Sequence, residues 1–294
     1  MSDCAIVVGA GLAGRLCALA LLDRGWRVTL LDWGDRSGQG SAATVAAGML
    51  APYAELDTAE PLVFALGVRS RQLWPAILAR LPGKVFYQNT GTLLIAHRQD
   101  RAELERFTAR LKAKLGDRAV MESLDGEGIA RLEPELAGRF SRGVLFPDEG
   151  QLDPLELFPA LERALVEAGV DWREGLGADT LAPGRVEAGG QSLRAELVVD
   201  ARGLGAKGDI PTLRGIRGEI VTVHAPELRL NRLVRLMHPR YPLYICPRRE
   251  GRFVIGATSI ESEDLSPISV QSLLELLSAA YSLHSGFAEA RVLA

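Results

Sequence analysis

Cysteine is scarce in this sequence, with only Cys4, Cys17 and Cys246 among 294 residues. Three cysteines that lie far apart in the chain do not form a disulfide framework, and none has the spacing of a metal-ligand pair. We therefore predict no metal site and a reducing compartment. All three thiols are expected to serve as small buried hydrophobic side chains.

A large net charge of either sign is also absent. The formal net charge is -3, and Lys and Arg are spread along the chain rather than gathered in one patch. A nucleic-acid or membrane partner is therefore not expected. Glycines and Arg15 interrupt the N-terminal apolar stretch, which argues against a signal peptide or a membrane span there. These features predict a cytoplasmic protein.

The sequence does contain alternating β-rich and helical segments. Residues 4–9 predict a buried strand, 12–24 a helix and 26–32 a second strand, and such a βαβ unit implies a parallel sheet. Further helices are predicted at about 60–80, 99–115, 127–133, 153–168 and 267–283. A buried strand that runs into a glycine turn is predicted at 196–206. Further strands are predicted at 91–97, within 143–153, and at 218–225, 242–249 and 252–259, the last three being antiparallel.

Three glycines lie between the first strand and the first helix. Gly9, Gly11 and Gly14 form G-x-G-x-x-G, and Asp32 ends the second strand. This pattern predicts a turn that binds a dinucleotide pyrophosphate, with the carboxylate on the ribose hydroxyls. The alternative is a glycine-rich turn in an unrelated α/β protein. The βαβ unit alone does not decide whether the dinucleotide is NAD or FAD.

Small residues dominate the next segment, 34–52, whose sequence is GDRSGQGSAATVAAGMLAP. Such residues allow a backbone to lie flat against a bulky ligand. A flexible linker is one alternative, and a helix start that packs closely on the sheet is another.

Several longer motifs resemble the D-amino-acid-oxidase-type flavoproteins, and most closely the glycine oxidases of thiamine biosynthesis. They are IVVGAGLAG (6–14), SAATVAAGMLAPYAE (41–55), FPDEGQLDP (146–154), VVDARGLGA (198–206) and YICPRREGRFVIGATSIES (244–262). The resemblance covers essentially the whole chain. It implies FAD as the cofactor and oxygen as the electron acceptor.

The resemblance also implies which residues contact FAD. It places Leu12 and Ala13 at the pyrophosphate, Asp32 and Trp33 near the adenosine ribose, and the backbone of Ala178 at the adenine. The full cofactor-binding set is Gly9, Ala10, Gly11, Leu12, Ala13, Gly14, Asp32, Trp33, Ser41, Ala42, Ala43, Ala47, Gly48, Met49, Ala178, Ala201, Arg202 and Gly203. Arg202 departs from a family turn that usually reads Ala-x-Gly, and we expect its side chain to reach solvent or phosphate.

The substrate face is expected on the strand that begins YICPR. Tyr244 matches the family tyrosine that binds the substrate carboxylate, although an aromatic core residue would fit the same strand. Met49 and Ser259 are the other candidate catalytic residues. Glu55 matches a glutamate at the pocket mouth, and a solvated loop acid is its alternative.

These features predict an α/β protein with two domains. A Rossmann-like (GR2-type) FAD-binding domain with a parallel sheet would comprise 1–85, 143–208 and 265–294. An α+β substrate domain with an antiparallel sheet would comprise 86–142 and 209–264.

The predicted activity is oxidative deamination of glycine or a small amine to the imine in thiazole synthesis. The alternatives are a D-amino-acid dehydrogenase with another acceptor and a non-catalytic FAD-binding protein. Family members continue past Ala294 with a GLRP-like turn, whose arginine binds the substrate carboxylate, and a glycine-rich stretch. The resemblance therefore also predicts a truncated, weakly active chain. The sequence does not determine the oligomeric state, and a homo-oligomer is one of the alternatives.

Overall fold

The computed structural model describes residues 3–57, 59–238 and 243–294. These residues form two compact units, which comprise 1–46, 78–85 and 154–215 in the first and 47–77, 86–153 and 216–294 in the second. The helices of the described chain are α1 (Leu12–Leu22), α2 (Pro52–Glu55), α3 (Pro61–Leu78), α4 (Arg101–Leu115), α5 (Gly126–Leu132), α6 (Pro154–Glu167) and α7 (Val270–Leu283).

The strands of the described chain are mostly short. They are β1 (Cys4–Val8), β2 (Arg27–Leu31), β3 (Met49–Leu50), β4 (Tyr87–Gln88), β5 (Thr92–Ala96), β6 (Glu122–Asp125), β7 (Arg142–Phe146), β8 (Gly150–Leu152), β9 (Asp171–Arg173), β10 (Thr180–Ala182), β11 (Arg185–Ala188), β12 (Gln191–Arg194), β13 (Leu197–Asp200), β14 (Ile220–His224), β15 (Leu233–Met237), β16 (Leu243–Pro247), β17 (Arg252–Gly256) and β18 (Arg291–Val292).

The first unit is built on a parallel sheet with strand order β13-β1-β2-β9. Ile6 and Val8 of β1 face an antiparallel meander, β10-β11-β12, and pack with Leu31 and Val186 in one apolar cluster. Helices α1 and α6 pack on each other, and α1 also contacts β1 and β2. The apolar residues that predicted the βαβ unit therefore form its core.

The second unit is built on an eight-stranded sheet with order β18-β14-β17-β16-β15-β5-β7-β6. Its pairs are antiparallel except β15 with β5, which is parallel. One face packs on α7 through Leu276 and Leu283, and the other packs on α4 through Phe107 and Leu111. Alternate residues of each central strand are thereby buried on opposite faces.

The predicted fold class is confirmed: a parallel α/β sheet and a separate, mainly antiparallel sheet are both present. The predicted helices and strands all occur, within a few residues at each end. The strand within 196–206, however, was expected to be buried, and β13 is exposed or only partly buried along its length. Strand β15 was not predicted, and neither was the meander. Cys17 is exposed and Cys4 is only partly buried, so the prediction that every cysteine is buried holds only for Cys246.

The two compact units differ in their limits from the predicted domains, because residues 265–294 lie in the second unit. The predicted domains stay a proposal about which segments serve the cofactor and which serve the substrate. Among the described helices, none combines the length and the apolar character that a membrane crossing requires.

Candidate active site

In the glycine turn of the first unit, the backbone packs so closely at two positions that only glycine fits there. Gly9 has φ +100°, and a Cβ there would lie 2.4 Å from the carbonyl oxygen of Ala201. A Cβ on Gly14 would lie 1.7 Å from the carbonyl oxygen of Gly9. The first and third glycines therefore hold β1, α1 and the end of β13 together.

Gly11 differs from its two neighbours in the motif, because a Cβ at this position meets nothing nearer than the Ser41 hydroxyl at 3.4 Å. Helix α1 begins at the next residue, with no side-chain cap and no acid in its first turn. Its first N–H groups are thus available to an anion, and the space above Gly11 lets that anion approach the backbone. This cradle fits a dinucleotide pyrophosphate.

Asp32 is bound to the glycine turn in this structure. Its Oδ2 accepts a hydrogen bond from the Ala10 N–H, and its Oδ1 accepts one of 2.7 Å from the Gly34 N–H. Trp33 beside it is 73% exposed, so its ring is accessible to a ligand. Ala178 is partly buried against the apolar cluster beneath the meander.

Arg15 is a residue of this turn to which the sequence reasoning gave no role. Its side chain is completely buried, lies between the rings of Phe158 and Trp172, and donates from Nε to the Ala10 carbonyl oxygen at 2.7 Å. It also donates to the Phe158 carbonyl oxygen at 3.2 Å and to the Arg36 carbonyl oxygen at 2.8 Å. Burial lowers the pKa of Arg15 to about 10, so it stays cationic at neutral pH. Arg15 therefore fixes the turn and adds a positive charge beside it.

The small-residue segment forms turns rather than a helix. The Thr44 N–H donates to the Ser41 carbonyl oxygen at 3.1 Å, and the Ala46 N–H donates to the Ala43 carbonyl oxygen at 3.3 Å. Residues 41–46 belong to the first unit and 47–49 to the second. The alternative of a helix start packed on the sheet is thereby wrong.

Ala201, Arg202 and Gly203 follow β13 in a turn that leads into a short 3₁₀ helix. The predicted reach of Arg202 to solvent or phosphate is not seen. Its guanidinium instead donates to Asp200 at 2.8 Å and also pairs with Asp209. These pairs raise the pKa of Arg202 and lower that of Asp200, so the side chain stabilises its own turn.

In the second unit, Met49 lies with Tyr244. Both pack with Leu233 and Cys246 in one apolar cluster, to which Ala47 also belongs. Burial raises the pKa of Cys246 to about 11, so its thiol stays protonated. The structure thus brings two of the three predicted catalytic residues together.

Tyr244 combines this apolar environment with a polar contact. The residue is 7% exposed, and its hydroxyl donates a hydrogen bond to Oε1 of Glu55. Burial raises the pKa of Tyr244, and the carboxyl groups of Glu55 and Glu149 add to this against the lowering effect of Arg235. The phenol is therefore a neutral hydrogen-bond donor at every physiological pH.

Two buried groups position the cluster. Arg248, which follows β16, donates to the carbonyl oxygen of Ala47 and to Gln151. Glu149 accepts hydrogen bonds from the Tyr53 and Ala54 N–H groups at 2.6 and 2.9 Å, at the start of the helix that carries Glu55. Burial raises the pKa of Glu149 to about 7.

Ser259, the third predicted catalytic residue, is exposed and lies outside the described apolar cluster around Tyr244. It follows β17 by three residues. Its predicted place beside the substrate stays a prediction.

A family model described as "FAD dependent oxidoreductase" (DAO) matches residues 5–293. The chain belongs to this family. FAD is accordingly its cofactor, in agreement with the open cradle above Gly11, and the D-amino-acid-oxidase-type resemblance is confirmed.

Individual members of the DAO family share much of this sequence. The chain is 43% identical over 287 residues to a Rhizobium etli protein named as a thiamine biosynthesis oxidoreductase, ThiO, covering 98% of this chain and 80% of that protein. It is 29% identical over 287 residues to a glycine oxidase of Geobacillus kaustophilus, covering 92% of this chain and 74% of that enzyme.

The fold of this DAO-family chain agrees with these sequence relatives. A crystal structure of glycine oxidase from Geobacillus kaustophilus superimposes with a TM-score of 0.83 at 26% identity, covering 100% of this chain and 81% of the other. The chain is thus an FAD-dependent oxidoreductase similar to ThiO and glycine oxidase.

Proposed function

We propose that this chain oxidises glycine, or a small secondary amine such as sarcosine, to the imine with oxygen as the electron acceptor. The observation that carries the proposal is the apolar cluster of Tyr244, Met49 and Ala47, which contains one buried neutral phenol. A ligand site of this kind combines apolar walls with few polar groups, which suits a small amino acid.

The residues of the cluster have separate roles in this proposal. Tyr244 donates a hydrogen bond to the substrate carboxylate, and Met49 packs against the substrate carbon atoms. FAD, when bound, supplies the chemistry by accepting a hydride from the α-carbon and passing two electrons to oxygen, which gives hydrogen peroxide. Glu55 orients the phenol by accepting its hydrogen bond in the absence of substrate.

The predicted cofactor contacts form the second part of the proposal. The turn from Gly9 to Gly14 would hold the pyrophosphate, Asp32 and Trp33 would lie at the ribose, and 41–49 would follow the flavin. The open space at Gly11 and the exposed Trp33 ring support the first two contacts.

The names of two relatives support a place for the proposed reaction in thiamine biosynthesis. The Rhizobium etli protein is named for thiamine biosynthesis, and the Geobacillus kaustophilus protein is named a glycine oxidase. We infer that this chain supplies an imine of glycine for thiazole formation.

Hydrogen peroxide release tests the reaction directly. The purified chain is mixed with glycine, sarcosine or D-alanine in air, and peroxide is measured with a peroxidase-coupled dye. We expect peroxide in proportion to glycine or sarcosine consumed. Glycine oxidation only in the presence of an artificial electron carrier would replace oxygen by another acceptor, and no oxidation of any amine would overturn the proposal.

A further inference from the structure

Glu149 is a completely buried acid in the turn between β7 and β8. Its backbone is fixed on both sides, because its N–H donates to the Phe146 carbonyl oxygen at 3.3 Å and its carbonyl oxygen accepts from the Gly91 N–H at 2.9 Å. Acids are almost never buried completely unless a partner holds them there. The contacts of this side chain therefore indicate what it does.

The two carboxyl oxygens of Glu149 have different environments. Oε1 accepts hydrogen bonds from the N–H groups of Tyr53 and Ala54, at 2.6 and 2.9 Å. Oε2 is buried, and no residue within 3–57, 59–238 or 243–294 gives it a hydrogen bond. A charged carboxylate with one unpaired oxygen in the interior is unfavourable. A proton on Oε2 removes this penalty while Oε1 keeps both of its donors.

Glu149 exchanges this proton near neutral pH. The titratable and charged groups around it and its neighbours are Tyr53 and Glu55 of α2, Arg71 of α3 with Asp148, Arg235 of β15 and Tyr244 of β16. Burial raises the pKa of Glu149 to about 7, and the carboxylate of Glu55 adds to this, whereas the Thr92 hydroxyl and the two N–H groups favour the charged form.

Helix α2 connects Glu149 to the Tyr244 cluster. The helix is a single turn, Pro52–Glu55, with Glu149 at its first N–H groups. Its last residue, Glu55, accepts the hydrogen bond of the Tyr244 hydroxyl. One turn of helix contains too few internal hydrogen bonds to be stable alone, so contacts from outside determine where Glu55 lies.

We propose that Glu149 is a proton-dependent positioning residue: the proton on its carboxyl determines how firmly α2 holds Glu55 at the Tyr244 hydroxyl. A charged acceptor forms stronger hydrogen bonds than a neutral one, so the charged form of Glu149 holds the start of α2 more firmly. The inference rests on the proposed function, in which Tyr244 binds substrate. Loss of the Glu149 proton then fixes the phenol for substrate binding, and gain of the proton loosens it.

Glu149→Gln tests this role, because its amide oxygen still accepts from both N–H groups but cannot become charged. The KM for glycine is measured for this variant, the parent chain and the control Glu122→Gln, which changes an exposed acid of β6. We expect the ratio of the Glu149→Gln KM to the parent KM to be near one at about pH 6 and about three to ten at about pH 8.5, with little change in kcat.

The ratio cancels the titration of the glycine amine, which is the same for every variant. The Glu122→Gln ratio should be near one at both pH values. A Glu149→Gln ratio that is the same at both pH values would overturn the proton-dependent role. A general loss of structure would raise KM and lower stability together, whereas removal of a buried charge should leave Glu149→Gln at least as stable as the parent at about pH 8.5.

A double-mutant cycle tests whether Glu149 acts through Tyr244. At about pH 8.5, Glu149→Gln should raise KM in the parent background and leave it unchanged in the Tyr244→Phe background, because the hydroxyl that Glu149 positions is then missing. Equal effects of Glu149→Gln in the two backgrounds would overturn the proposal.

Binding of glycolate separates this inference from the proposed function. Glycolate has the carboxylate of glycine but no amine to oxidise, and its affinity for the FAD-loaded chain is measured by calorimetric titration at both pH values. We expect the affinity of the parent relative to Glu149→Gln to rise from about pH 6 to about pH 8.5. This pattern without oxidation of any amine would overturn the proposed function alone, and glycine oxidation with a pH-independent KM ratio would overturn the role of Glu149 alone.

Discussion

The hydroxyl of Tyr244 donates a hydrogen bond to Oε1 of Glu55, although the two residues are 189 positions apart in the chain. Tyr244 lies on β16 and Glu55 ends α2, so the contact joins the large sheet to a short helix of the same unit. In the proposed function, the acceptor of this buried hydroxyl changes from Glu55 to the substrate carboxylate.

Removal of this hydroxyl is expected to weaken substrate binding. Tyr244→Phe should lower kcat/KM for glycine by about 10- to 100-fold, as for one hydrogen bond to a charged group, chiefly through KM. The control is Tyr281→Phe in α7, where the side chain is half exposed. Steady-state kinetics with equal FAD content in both variants checks this prediction, and an unchanged KM in Tyr244→Phe would contradict it.

Gly11 provides a test of the cofactor cradle that leaves the fold intact. Gly11→Ala adds a Cβ whose nearest neighbour is Ser41 Oγ at 3.4 Å, so the FAD-free chain should unfold within about 1 kcal/mol of the parent. The same methyl group would meet the pyrophosphate, and we expect FAD affinity to fall about tenfold or more. FAD titration followed by fluorescence measures the affinity.

The control for Gly11 is Gly208→Ala, because a Cβ at that position meets nothing within 4 Å. Gly14→Ala is the opposite case, since its Cβ would lie 1.7 Å from a carbonyl oxygen, and we expect that variant not to fold. Equal FAD affinity of Gly11→Ala and Gly208→Ala would place the pyrophosphate elsewhere.

Arg15 should matter for both the stability and the cofactor affinity of the first unit. Arg15→Met leaves three carbonyl oxygens without their donor, including that of Ala10 in the glycine turn. We expect about 2–4 kcal/mol less unfolding free energy in urea and a weaker affinity for FAD. Arg24→Met, at an exposed position after α1, is the control and should change neither quantity.

Glu149 should make stability depend on pH. Below pH 4.5, its ordinary pKa, the carboxyl is protonated in both folded and unfolded chains. Between pH 4.5 and about 7 only the folded chain keeps the proton, so rising pH lowers the unfolding free energy, by about 3 kcal/mol in all. Above about pH 7 the contribution of Glu149 to the unfolding free energy no longer changes with pH.

Glu149→Gln removes this titration while its amide oxygen still accepts from the N–H groups of Tyr53 and Ala54. We therefore expect the stability of this variant relative to the parent to increase from pH 4.5 to 7 in urea unfolding. Glu122→Gln, an exposed acid of β6, is the control. Parallel pH profiles of Glu149→Gln and the parent would contradict the prediction.

The sequence predicted the parts of this molecule that depend on local pattern. Gly9, Gly11, Gly14 and Asp32 lie within one βαβ unit, where spacing alone determines their arrangement. Tyr244 and Met49 came from motifs that resemble a family, and the structure places both in one cluster.

Long-range contacts were not predictable in this way. Strand β15 pairs in parallel with β5 across about 140 residues, and its mixed sequence LVRLM has no strong strand signal, so Arg235 was missed. The role of Arg15 could not be predicted either, because two of its carbonyl acceptors lie in segments that meet only in the folded chain. Arg202 was expected to reach solvent or phosphate, but it pairs with Asp200 inside the motif and with Asp209 beyond it, and only the second partner was out of reach of the motif.

Anaerobic reduction of the bound flavin by glycine tests the central claim most directly. The purified chain, loaded with FAD and free of oxygen, is mixed with glycine while its visible spectrum is followed. We predict that the yellow absorbance of oxidised flavin bleaches, and that air restores it with release of hydrogen peroxide. An FAD-loaded chain whose spectrum is unchanged by glycine, sarcosine and D-alanine would contradict the assignment of this protein as an amine-oxidising flavoenzyme.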